Sequence, residues 1–204
     1  MFRANSEYLF LGLTTLETTL FIYNMTSMYT TFFPQISSDF GHDPHGSVWE
    51  PARVMVANRL ATNGEMWTKI FAKYNSGTYN NQWMVVDHKK KAERGGQGSN
   101  LLWIHEQLPI MTTSSDKSDW LNSKSQYFAS YNRALEDPFN NNIRRLSGAV
   151  DMESKYGDWF SYFKTPRALL FEEKNDFVVD VESMMTILRS NDFQVHILVP
   201  QKKF

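Results

Sequence analysis

His105-Glu106 is a pair whose side chains could act together, because zinc hydrolases carry two imidazoles and a carboxylate in the spacing H-E-x-x-H. Here Pro109 stands where the second imidazole belongs, so the pair is expected to sit in a strand with a hydrogen-bonded histidine. His42-Asp43-Pro44-His45 brings two imidazoles close together, but its Pro and the following Gly46 make a loop, and no third ligand accompanies them. No metal and no cofactor are therefore expected. Lys89-Lys90-Lys91 has the charge to hold an anion, yet in a near-neutral chain it is expected to be a solvated loop tip. Asn24-Met25-Thr26 is an N-glycosylation sequon, which matters only in a secretory protein. The chain has no G-x-S-x-G elbow and no phosphate-binding loop. Gly95-Gly96-Gln97-Gly98 follows a basic run and lacks the strand-to-helix context of a dinucleotide site. Cysteine is absent, which excludes disulfides, thiolate metal sites and a cysteine nucleophile within these residues.

The elements that must position such groups are mixed. Tyr8 to Asn24 is rich in β-branched and aromatic residues and is expected to be strand, with Gly12 at a bulge. Pro34 to Gly46 has loop chemistry. From Val48 the spacing of Met55, Val56, Arg59 and Leu60 predicts a helix, stopped by Asn63-Gly64. Trp67, Ile70, Phe71 and Tyr74 then form one apolar face of a second helix. Asn75-Ser76-Gly77 is a turn, and Gln82 to Asp87 a buried strand. His88 to Ser99 is expected to be a surface loop, and Leu101 to Leu108 a strand stopped by Pro109. Thr112 to Ser125 has the polarity of a loop, and Phe160 to Phe171 is expected to be turn and then strand around Pro166. Val181, Met184, Met185 and Leu188 make a last helical face, with Asp180 as N-cap. This order predicts an α+β fold with an antiparallel sheet.

The 204 residues, 42% hydrophobic and 21% charged, have the composition of a globular chain able to bury a core. Lys plus Arg number 21 and Asp plus Glu 22, a balance that argues against nucleic acid as a partner. The longest clean apolar stretch, Tyr8 to Leu13, is too short to cross a bilayer, so no transmembrane segment is expected. No signal peptide opens the sequence.

The run Asn75-Ser76-Gly77-Thr78-Tyr79-Asn80-Asn81-Gln82-Trp83-Met84-Val85-Val86-Asp87 closely resembles the N-S-G-T-Y-N-N-Q-W/Y-M-x-x-D signature of the phospholipase B-like proteins. Other blocks are similar to that family in the same order. They are Leu16-Glu17-Thr18-Thr19, Arg53 to Ala61, Trp67 with Phe71, Glu106-Gln107-Leu108-Pro109, Ser130-Tyr131-Asn132, Tyr156 to Tyr162, Pro166-Arg167-Ala168, and Met184 with Arg189, Asn191 and Asp192. The resemblance covers residues 9–193, within a single incomplete domain of residues 1–204. Arg133-Ala134 departs from it, because the family tends to place a Pro two positions after this asparagine.

The resemblance implies part of an αββα sandwich of antiparallel sheets, the N-terminal-nucleophile hydrolase fold. It implies an acyl hydrolase of phospholipids or of linear amides, lysosomal or secreted, whose nucleophile is a cysteine exposed by self-cleavage. That cysteine lies upstream of the L-E-T-T strand in the family, and the family also continues past the last helix. The missing upstream and downstream parts of one precursor are therefore expected partners of this chain, together with the phospholipid or amide substrate. The alternative is a non-catalytic degenerate copy that binds lipid or protein. Three positions match active-site residues of the family. Thr19 offers a hydroxyl at the end of its strand. Asn132 offers an amide N–H for an oxyanion. Arg167 offers a planar fork for a carboxylate or phosphate, or for orienting Asn132. Gly77, Asn80, Asn81 and Trp83 are expected to be architecture.

Overall fold

The computed structural model describes residues 3–5, 13–19, 46–77, 80–93, 98–108, 111–122, 127–131, 133–135 and 149–190. The elements named in the order of the chain are β1 (Arg3–Asn5), β2 (Leu13–Thr19), α1 (Glu50–Leu60), α2 (Gly64–Ala72), β3 (Asn81–Asp87), α3 (His88–Glu93), β4 (Leu102–Gln107), β5 (Thr112–Asp116), α4 (Ser118–Asn122), α5 (Ala149–Tyr156), α6 (Pro166–Lys174) and α7 (Val181–Arg189). Short 3₁₀ turns at Gly157–Phe160 and Asn175–Phe177 precede and follow α6. The fold class is α+β, as expected. The strands form one five-stranded antiparallel sheet in the order β1-β2-β3-β4-β5, so each strand pairs with its neighbours in sequence.

β3 alternates its side chains between two covered faces, as the pleat requires. On one face Trp83 and Val85 pack with Val54, Ala57 and Ala61 of α1 and with Trp67 and Phe71 of α2. The rings of Trp67, Phe71 and Trp83 meet at centroid distances of 4.8, 5.2 and 4.9 Å. On the other face Met84, Leu102 and Ile104 are buried beneath Leu121 and Phe128. Fully burying a residue of this size stabilises the fold by about 1.5–3 kcal/mol. Such strands, apolar on both faces, are why Gln82 to Asp87 is legible as a buried run. The turn falls at residues 73–74, just before the expected Asn75-Ser76-Gly77; Asn75 Oδ1 accepts from the Gly77 N–H at 3.1 Å, and Gly77 lies at φ 66°, where a side chain would be strained.

Several local expectations are overturned. Asn63 does not stop α1; it caps α2, its side chain accepting from the Met66 N–H, and Gly64 is the first residue of that helix. A glycine is needed there because a Cβ would lie 2.8 Å from Cδ1 of Trp103. In α1 the apolar Met55, Val56 and Leu60 are exposed, while Arg53, Val54, Ala57 and Asn58 face inward. Tyr74 leaves the apolar face of α2 and is exposed at φ 57°. His88–Glu93 begins the expected loop as a short helix. Thr112–Asp116 is strand and not loop, because its threonines pair along β4 as a half-exposed row. The strand expected around Pro166 is helix. Thr165 accepts from the Ala168 N–H and Pro166 fills the first turn, where its missing donor costs nothing. Asp180 caps α7 as expected, in a reciprocal pairing with Ser183. The remainder of the Tyr8–Asn24 stretch, Gly12, Asn24, His42, His45 and Asn132 lie outside the described residues.

Candidate functional site

Arg167 sits in the first turn of α6, held there by the Thr165 cap and Pro166. Its Nη2 donates to the carbonyl oxygen of Tyr131 at 3.0 Å. That carbonyl belongs to the peptide unit leading into Asn132. On the other side of Asn132, Arg133 donates from Nη1 to the carbonyl of Phe160 and lies over the Phe160 ring, 4.7 Å from its centroid. Both neighbours of Asn132 are thus pinned by guanidinium groups. Tyr131 and Ala134 are buried, and the Tyr131 ring packs edge-on to Tyr162 at 5.2 Å. Burial, the neighbouring Tyr127 and the charge of Glu172 hold the Tyr131 hydroxyl well above the usual phenol range, so it is a neutral donor.

The sheet meets this segment through a carboxylate. Gln82 of β3 lies opposite Glu106 of β4, and its Nε2 donates to Glu106 Oε1 at 2.7 Å. The same oxygen accepts from the Leu135 N–H at 2.7 Å. Glu106 therefore ties the 133–135 backbone to the end of the sheet where β3 starts. Thr19, the last residue of β2, pairs with Asn81 at that same end. Arg167 meets the chain before position 132, Glu106 links residue 135 to β3, and Thr19 ends β2 beside Asn81. Gln82 and Glu106 are both fully buried, and neither was among the expected site residues. Two polar side chains at facing positions of otherwise apolar strands were the available signal. Buried polar groups in such places need mutual partners.

A second set of polar contacts is buried around Arg53. Arg53 of α1 donates from Nε to the Val48 carbonyl at 3.0 Å and from Nη1 to the Phe71 carbonyl at 2.6 Å. Its Nη2 donates to Asn75 Oδ1 at 3.2 Å and to Gln107 Oε1 at 2.9 Å. Desolvation lowers its pKa to about 10, against the opposing pull of Glu50. His105 is completely buried, with Nδ1 2.7 Å from Ser114 Oγ, and desolvation followed by the charge of Arg53 lowers its pKa to about 3. A histidine kept neutral in this way supports the strand and does not titrate near neutral pH. Lys89 pairs with the buried Asp87 at 3.5 Å, so the lysine run begins as a cap on β3.

The guanidinium groups of Arg167 and Arg133 are both committed to backbone carbonyls, those of Tyr131 and Phe160, on either side of position 132. A sequence model of the family described as Phospholipase B matches residues 8–199. The chain belongs to the phospholipase B family. It is similar to phospholipase B-like 2 of Homo sapiens, with 46% identity over 152 residues, 74% of this chain and 25% of that protein. It is similar to phospholipase B-like 2 of Caenorhabditis elegans, with 35% identity over 184 residues, 90% of this chain and 29% of that protein. To phospholipase B-like protein A of Dictyostelium discoideum the identity is 38% over 148 residues, 72% and 25% of the two chains. The chain therefore spans about a quarter of the length of these relatives. No helix among the described residues is long and apolar enough to cross a membrane.

Proposed function

We propose that this chain is the middle part of a phospholipid acyl hydrolase, or of a linear-amide hydrolase of the same chemistry, and that Thr19, Asn132 and Arg167 belong to its active site. The supporting observation is the 3.0 Å bond from Arg167 to the carbonyl just before Asn132. A guanidinium committed to that backbone oxygen serves to orient Asn132, so Arg167 acts as a positioning residue. In the reading proposed, the thiolate of a cysteine outside these residues attacks the acyl carbon. A C–S bond forms, the carbonyl pair moves onto oxygen, and the Asn132 amide donates to the resulting oxyanion. Collapse expels the alcohol or amine, which takes a proton from the nucleophile's own α-ammonium, and water then cleaves the thioester. Thr19 would border the acyl group from the sheet end. The αββα sandwich, with a second sheet supplied from outside these residues, and a lysosomal or secreted location belong to the same proposal. If the chain is secreted, Asn24 becomes a glycosylation site.

The alternative reading is a non-catalytic copy that binds lipid or protein. Expression of the complete reading frame, assayed on phosphatidylcholine and on N-acyl amides, separates the two. The hydrolase reading expects turnover that Asn132→Ala lowers by about 10²-fold in kcat, the usual effect of losing an oxyanion donor. Arg167→Lys keeps the charge and loses the fork, so kcat falls while KM holds. The 204-residue chain alone should show no turnover. A complete protein without turnover would support the non-catalytic reading, and unchanged kcat in both variants would remove Asn132 and Arg167 from the site.

A further inference from the structure

Two guanidinium groups fasten the chain around Asn132 to the α6 side of the molecule. Arg167 of α6 donates to the Tyr131 carbonyl, and Arg133 donates to the Phe160 carbonyl in the 3₁₀ turn that precedes α6. Neither of these contacts reaches the sheet. A hydrogen-bonded link to the sheet runs through Glu106, whose Oε1 accepts from the Leu135 N–H and from Gln82 Nε2, both at 2.7 Å. The register of this segment against β3 and β4 is therefore set by a carboxylate.

Glu106 and Gln82 stand where apolar side chains would be expected. They face each other in register on the side of the sheet that buries Met84, Leu102 and Ile104, and both are fully buried. A carboxylate in such surroundings is costly unless its oxygens accept hydrogen bonds. An ionised Glu106 can only accept, so the Gln82 amide turns its NH₂ toward it. That leaves Gln82 Oε1 buried with no donor among the described residues. A side chain such as that of Met84 would fill the same space without an unmet acceptor. Phe128 also packs on this face, but apolar burial has no direction. A carboxylate that accepts from two N–H groups has one, and it acts on the backbone three residues beyond Asn132.

We propose that Glu106 is a positioning residue for acyl hydrolysis, holding the 133–135 backbone in register with the sheet while Gln82 holds Glu106. The placement rests on the contacts above, whereas its bearing on the oxyanion donor assigned to Asn132 rests on the hydrolase reading. Misplacing a reacting group by about 1 Å can cost about 100-fold in rate, so a small loss of reach at Glu106 should be visible in kcat.

The test assays the complete protein on phosphatidylcholine and on N-acyl amides, with hydrogen exchange at the Leu135 N–H as a readout independent of turnover. Glu106→Asp keeps the charge and shortens the side chain by about 1.5 Å. Its kcat should fall by about tenfold or more with KM unchanged, and the Leu135 N–H should exchange about tenfold faster. Glu106→Gln keeps the length and an accepting oxygen, so both readouts should stay within about threefold of the parent. Gln82→Met combined with Glu106→Met fills the face with apolar side chains of similar volume and should fold, with a loss of kcat like that of Glu106→Asp. An unchanged kcat in folded Glu106→Asp would overturn the proposal and leave the hydrolase reading intact. A raised KM at constant kcat would also overturn it. So would an equal loss in Glu106→Gln, which would assign the effect to charge and not to reach. A complete protein without turnover removes the hydrolase reading, and exchange then decides the placement. Faster exchange in Glu106→Asp but not in Glu106→Gln supports it, and equal rates overturn it.

Discussion

At the scale of single residues, the sheet is held by polar side chains placed where apolar ones would be expected. Arg53 uses its whole fork on two backbone carbonyls and two side-chain oxygens while covering the Phe71 ring at 4.4 Å. A lysine has one point of attachment and could not replace it. His105 has a consequence for pH. Its folded pKa of about 3 lies below the 6.5 of an exposed histidine, so the unfolded chain takes up a proton that the folded chain refuses. The stability it contributes is complete above pH 6.5 and is lost as the pH falls toward 3, at about 1.4 kcal/mol per pH unit. Urea unfolding between pH 7 and 4 should show this slope, and His105→Asn should flatten it whatever its effect on stability at pH 7. An unchanged slope in the variant would assign the acid sensitivity to other groups. The sequence shows His105 in a strand, and that much is legible. Its neutrality is not, because desolvation depends on Phe71 and α2 closing over it.

At the scale of elements, helix ends obey local chemistry and helix faces do not. Thr165-Pro166 and Asp180 with Ser183 are cap signals written in adjacent residues, and both helices start there. Pro166 nonetheless misleads in sequence, because the aromatic residues around it have high strand propensity. The inward face of α1 is inverted relative to its hydropathy, since Arg53 and Asn58 find partners in Phe71, Asn75, Gln107 and Trp67. The contact of α2 with the sheet is close at one point. Gly64→Ala would set a methyl group against Trp103, and we expect a loss of about 1–3 kcal/mol in chemical denaturation. Pairing it with Trp103→Leu should recover part of that loss, and a failure to do so would mean that Gly64 serves the backbone and not the close approach.

At the scale of the whole molecule, the chain leaves apolar surface uncovered. Val181 and Leu188 of α7 are 76% and 50% exposed, with Met184 and Met185 beside them, and Trp49 before α1 is 76% exposed. Patches of this kind drive association. The isolated chain should elute as oligomers and melt without a sharp transition, and Met184→Glu with Leu188→Lys should shift it toward monomer. A monomer with a cooperative melt would contradict this. The sequence by itself determined the family, through the Asn75–Asp87 run and the blocks around it, and it determined the buried strands and the last helix, because those follow from local propensity and periodicity. Only the tertiary structure decided that Arg167 grips the carbonyl before Asn132 and that Gln82 and Glu106 tether the 133–135 backbone. Those contacts join residues separated by 24 or more positions, and no local rule encodes where a distant partner will lie until the sheet has paired and its faces have been covered.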